Sequence, residues 1–138
     1  MCAFNDQYLF AFAGRVNQKE YVDVIEAYDT KRNTWKVFDG VDKKQWVPGY
    51  MSVAYQITSN EMIIFGGKSA LMNQIFDGVF VFDLENMEVK ERSSLVNPCS
   101  FMNTPLVFNQ SIYCYGNDVY VHKYSIPEQK WSAVLKTL

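Results

Sequence analysis

An apolar run that ends in small residues occurs three times in this chain, and that recurrence limits the possible folds more than any other feature. "MIIFGG" (Met62 to Gly67) has two relatives, "LFAFAG" (Leu9 to Gly14) and "IYCYGN" (Ile112 to Asn117). Their last positions, 14, 67 and 117, lie 53 and 50 residues apart. Ala13 takes the first glycine slot in one copy. Asn117 takes the second in another, where Asn is a sensible stand-in because it tolerates positive φ. Self-similarity at a fixed period of this size predicts stacked copies of one structural unit.

Two further elements keep register with the glycine runs. Downstream stand "IEAYDTKRNTW", "VFVFDLENMEV" and "VHKYSIPEQKW". In each, an aromatic residue (Tyr28, Phe82, Tyr124) is followed seven positions later by Trp35, Val89 or Trp131. The turn formers between them predict two strands joined by a short turn. Upstream stand "CAF", "SVAY" and "PLVF", set off by the polar turns "NDQ", "ITSNE" and "NQS". Each repeat therefore predicts four antiparallel strands, over about 1–40, 50–95 and 102–138. A strand covered on both faces loses its in-out alternation, which accounts for "MIIF" and "VFVF". The glycines then serve a sharp exit and a close backbone approach, at least one of them with positive φ.

This pattern resembles the kelch repeat. That family pairs an apolar strand ending in two glycines with a downstream Tyr and, past a turn, a Trp. The middle copy alone has both glycines, and it lacks the Trp. The resemblance implies an all-β fold of β-propeller blades. Gly14, Gly66, Gly67, Gly116, Tyr28, Phe82, Tyr124, Trp35 and Trp131 are then structural repeat positions, with the tryptophans packed against the next blade. It also implies a protein-protein interaction module, as a ubiquitin-ligase substrate adaptor or a cytoskeletal scaffold. Three blades make an open arc, part of a larger propeller. Its end faces need covering by missing blades of the same longer chain or by a second copy, because apolar blade faces do not stay bare.

In a four-stranded antiparallel blade, the second-to-third loops and the blade-to-blade loops share one face of the disc. Those loops are long here, over 15–23, 39–50, 68–78 and 96–103, and loops on a rigid scaffold concentrate binding residues. The candidate contacts are Arg15, Lys43, Lys44, Trp46, Lys68, Phe76 and Phe101, since basic and aromatic loop residues suit interface hot spots. Trp46 and Phe101 have packing between blades as their other reading.

Composition narrows the function classes. The formal net charge is −2, which does not fit a nucleic-acid footprint. No apolar run reaches the ~20 residues of a membrane helix. Cys2, Cys99 and Cys114 show no C-x-x-C spacing and predict free thiols in a reducing, cytoplasmic setting. Cys114 is expected to be buried and Cys99, in a loop, to be more exposed. Some relatives with kelch-like blades resemble galactose oxidase, a copper enzyme, and a site in the central channel of such an enzyme is the alternative function. The single histidine, His122, aligns with Glu26 and Phe80 and is expected on a strand surface. No nucleophile elbow, phosphate-binding glycine loop or H-E-x-x-H occurs. The expectation is a non-enzymatic chain without cofactor or metal.

Overall fold

The computed structural model describes residues 1–15, 17, 21–38, 51–69, 74–101 and 104–135. Among them there is no helix. The strands are β1 (Cys2–Phe4), β2 (Tyr8–Arg15), β3 (Tyr21–Asp29), β4 (Thr34–Phe38), β5 (Val53–Gln56), β6 (Glu61–Phe65), β7 (Lys68–Ser69), β8 (Gln74–Ile75), β9 (Val79–Asp83), β10 (Glu88–Glu91), β11 (Leu106–Phe108), β12 (Ser111–Tyr115), β13 (Tyr120–Ser125) and β14 (Lys130–Leu135). They form three antiparallel four-stranded sheets, β1-β2-β3-β4, β5-β6-β9-β10 and β11-β12-β13-β14, with β7 and β8 as a small hairpin between β6 and β9. These are kelch-type blades, and the three do not close a ring.

The seven-residue spacing is a cross-strand pair in every sheet. Tyr28 lies opposite Trp35, Phe82 opposite Val89 and Tyr124 opposite Trp131. A turn that returns the chain in register at this distance needs support at its start. Asp29 and Asp83 provide it, each accepting at Oδ1 from backbone N–H groups two and three residues ahead. In the third sheet Ser125 stands in that slot, and its Oγ accepts from the Glu128 N–H.

The middle sheet explains its own continuous hydrophobicity. Met62, Ile64 and Phe82 face the first sheet, where Phe4, Phe10 and Ile25 join them in one buried cluster. Ile63, Phe65, Val79 and Val81 face the third sheet and pack with Ile112, Cys114 and Tyr124. Neighbouring residues along β6 thus enter different cores, and each full burial of a large aliphatic or aromatic side chain stabilises by about 1.5–3 kcal/mol.

Alternation returns in the outer sheets, because among the described residues each has one uncovered face. In β12, Ile112 and Cys114 are buried, Tyr113 is half-buried and Tyr115 is exposed. The far face of the third sheet also shows Leu106, Phe108 and Val134, and that of the first shows Leu9, Trp35 and Val37. Here the structure corrects an expectation. Trp131 packs on Phe65 of the middle sheet, with ring centroids 4.5 Å apart. Trp35 occupies the same register slot but is 60% exposed, stacked along its own sheet on Tyr28. Trp131 faces the preceding sheet, whereas Trp35 faces the corresponding side of the first sheet, which no described residue covers.

Candidate binding face

The two ends of the sheets differ. At one end the connections are tight turns. Apart from Met51, the non-glycine residues with positive φ among the described residues are found there: Asn5, Asp6, Asn33, Met87, Asn109, Gln110 and Gln129. Neighbouring turns are tied together by Asn5 with Gln56 and Ser59, by Asn60 with Glu85, and by the Ile126 N–H on the Gln110 carbonyl.

At the other end lie the long connections. The segment joining the second and third sheets crosses the exits of β6 and β12. The Gly67 N–H donates to the Cys99 carbonyl, the Phe101 N–H to Met51, the Asn117 N–H to Ser100, and Phe101 forms an isolated β-bridge with Gly116. Gly66 and Gly67 have φ of 64° and 105°. A Cβ on Gly66 would stand 2.5 Å from both the Cys99 carbonyl oxygen and the Phe101 ring. On Gly116 it would stand 2.1 Å from the Ser100 oxygen and 2.4 Å from Cys99 Sγ. Both glycine exits are therefore passages for the crossing segment, and the φ values of Gly66 and Gly67 fit residues without a side chain.

The sequence-derived contact residues separate on this end. Arg15, expected in a loop, is the last residue of β2 and pairs with Tyr21. A register irregularity lies between Phe12 and Gly14, before this last stretch of the β2–β3 pairing. Lys68 opens β7 and is half-buried. Phe76 is half-buried too, its N–H on the Gly67 carbonyl and its carbonyl accepting from the Cys99 N–H. Phe101 takes the packing role. It is 3% exposed, edge-on to Phe65 and His122. Lys43, Lys44 and Trp46 lie outside the described residues. Arg15 sits on the first sheet, whereas Lys68 and Phe76 flank one connection.

Residues 2–38, which are the whole first sheet, match the family model of the kelch motif. The chain carries a kelch motif. The second and third sheets repeat the motif's strand order and its cross-strand pair, so the kelch blade describes all three units. A search of the curated proteins finds no match.

Two further expectations are corrected at this end. His122 is fully buried instead of lying on a strand surface. Opposite Cys114 on β13, it points into the junction between the second and third sheets, where Phe101 covers its ring. Cys99 is also fully buried instead of being more exposed, because the crossing segment is laced to both sheets. Burial and the nearby Asp118 push the Cys99 thiol above its ordinary range, so it stays protonated. Burial does the same to Cys114. Neither thiol is set up as a nucleophile. Asp118, in the β12–β13 turn, places Oδ2 at 2.7 Å from His122 Nε2. No motif marked this group in the sequence, because its members come from a connection, a turn and a strand.

Proposed function

We propose that the chain is a protein-binding module that presents the long-connection end of its kelch blades to a protein or peptide partner. The observation that carries this reading is the contrast between the two ends. One is closed by short turns bonded to each other, and the other carries long connections with Lys68 and Phe76 on a scaffold whose core is immobilised beneath them. Such a surface offers side chains that have already lost much of their freedom, which lowers the entropy cost of association. In this reading the chain performs no chemistry of its own. Its role as a substrate adaptor or a cytoskeletal scaffold is set by attached domains, and it works in the cytoplasm, in keeping with its buried free thiols.

Site-specific photo-crosslinking tests the reading. A crosslinker at Lys68 or Phe76 is expected to capture a protein partner in cells. The same group at Thr30 or Asn60, in the tight turns, is expected to capture none. Equal capture from both ends, or capture only from the turns, overturns the proposed face.

A further inference from the structure

The second and third sheets pack face to face, and the same two kinds of face recur uncovered on the outer sheets. In that junction the side of the second sheet with Ile63, Phe65 and Val81 meets the side of the third with Ile112, Tyr124 and Trp131. On the third sheet, the slots of Ile63, Phe65 and Val81 hold Tyr113, Tyr115 and Lys123. On the first sheet, the slots of Ile112, Tyr124 and Trp131 hold Leu9, Tyr28 and Trp35. Among the described residues nothing covers either side. Leu9, Trp35 and Val37 stand exposed on one, Tyr115 and Val134 on the other. Large apolar side chains gathered in this way mark an interaction surface.

Charge supplies the second observation. Glu26 lies on the uncovered side of the first sheet, opposite Ala11 and Val37. Lys123 lies on the uncovered side of the third, its Nζ 5.9 Å from the centre of the Tyr113 ring. Lys130 follows on that side, toward the turns. The two sides therefore carry opposite signs. Joining two like sides would set Glu against Glu or Lys against Lys, which disfavours that arrangement. Joining unlike sides puts Lys123 in the Val81 slot. Val81 and Tyr124 line one small cavity of the existing junction, so Lys123 would stand beside Tyr28. Glu26 is two residues from Tyr28 on the same face, about 7 Å away, a distance that a lysine stem spans.

We propose that the uncovered side of the first sheet is a docking surface for the third sheet of a second copy of this chain. Trp35 then packs on Tyr115 of the other copy, as Trp131 packs on Phe65, and Lys123 of the other copy pairs with Glu26. A propeller closes with about four to eight blades, and the only multiple of three in that span is six. Two copies therefore complete a ring about a two-fold axis, with the contact made twice. Both long-connection ends lie on one side of that ring, although the docking does not depend on the function proposed for them. Association follows mass action, so at high dilution the copies separate and unfolding reads the single chain.

Sedimentation of the full chain over a range of concentrations tests the docking. The expected result is a shift from one chain mass to two, with no larger species. Glu26→Lys and Lys123→Glu should each weaken the dimer at least about tenfold, since like charges then meet at both contacts. The two reversals combined should restore it, because the pair forms again with its signs exchanged. Trp35→Ser should also weaken it. Circular dichroism of each variant separates lost docking from lost fold. If Trp35→Ser does not fold, the charge reversals decide, because Glu26 and Lys123 are only half-buried in the single chain. A chain that stays monomeric at every concentration, a ladder of larger species, single reversals without effect, or a double reversal that fails to restore the dimer overturns the proposal.

Discussion

Among the described residues, the two junctions between sheets are built differently although the sheets are alike. Between the first and second sheets the core of the contact is aromatic, with the Asn5–Gln56 hydrogen bonds at its turn end. Phe10, Phe12 and Phe38 converge on Phe82 at centroid distances of 6.3–6.4 Å, all edge-on. Between the second and third, apolar contact is joined by a strip of backbone, Cys99 to Phe101, bonded to both sides. The first kind of contact tolerates small shifts, since ring edges can slide on ring faces at little cost. The second fixes distances, because each hydrogen bond lost leaves a buried backbone group unpaired.

Substitutions should separate the two. The largest effect is expected for Phe82→Ala, which empties the centre of the aromatic junction and should lower stability by about 3–5 kcal/mol in urea unfolding. Next comes Gly116→Val. Its Cβ meets backbone oxygen, which cannot swing aside, so a loss of about 3 kcal/mol is expected by the same measurement. Gly78→Val should cost less, because the obstacle there is the Phe80 ring. Equal losses at the two glycines would mean that the crossing segment is no more rigid than a side chain.

The matched tryptophans give a narrower test. Trp131→Ala should cost about 2 kcal/mol, below the range for a fully buried ring. Trp35→Ala should cost about 0.5–1 kcal/mol, the worth of its stacking on Tyr28. Similar losses at both positions would show that something covers the first sheet's far face in solution.

The smallest effect concerns acid. Hydrogen bonds from Asn86 chiefly hold the Asp83 carboxyl below its usual range. A depressed folded value contributes stability that is present above the unfolded value, about 3.9, and lost as pH falls through the folded one. Melting temperatures of the unaltered chain and Asp83→Asn should therefore differ at pH 6 and converge toward pH 3. A constant difference would place the role of Asp83 in shape alone.

What the sequence revealed was whatever recurs. The glycine exits, the cross-strand aromatic pair and the doubly covered middle strand each follow from periodic burial, and three copies reinforce one another. What it hid occurs once. His122 shares its slot with Glu26 and Phe80, so comparing copies gives no consistent environment for it. The Glu26 slot faces the uncovered side of the first sheet, whereas that of His122 faces a neighbour. Cys99 and Phe101 read as loop residues because no period runs through a connection. Their burial depends on a path set by the exits of β6 and β12, which only the folded arrangement supplies.

The strip from Cys99 to Phe101 also bears on the order of events in folding. It cannot settle on the second sheet alone, since its partners include Gly116 and Asn117, just past the end of β12 and later in the chain. Each hairpin can close over a short stretch, but this strip must wait until two whole sheets meet, and such non-local closure comes late. Contacts made after the folding barrier act mainly on the rate of unfolding. The strip would then hold the second and third sheets together as a latch, adding little to how fast they meet and much to how long they stay together.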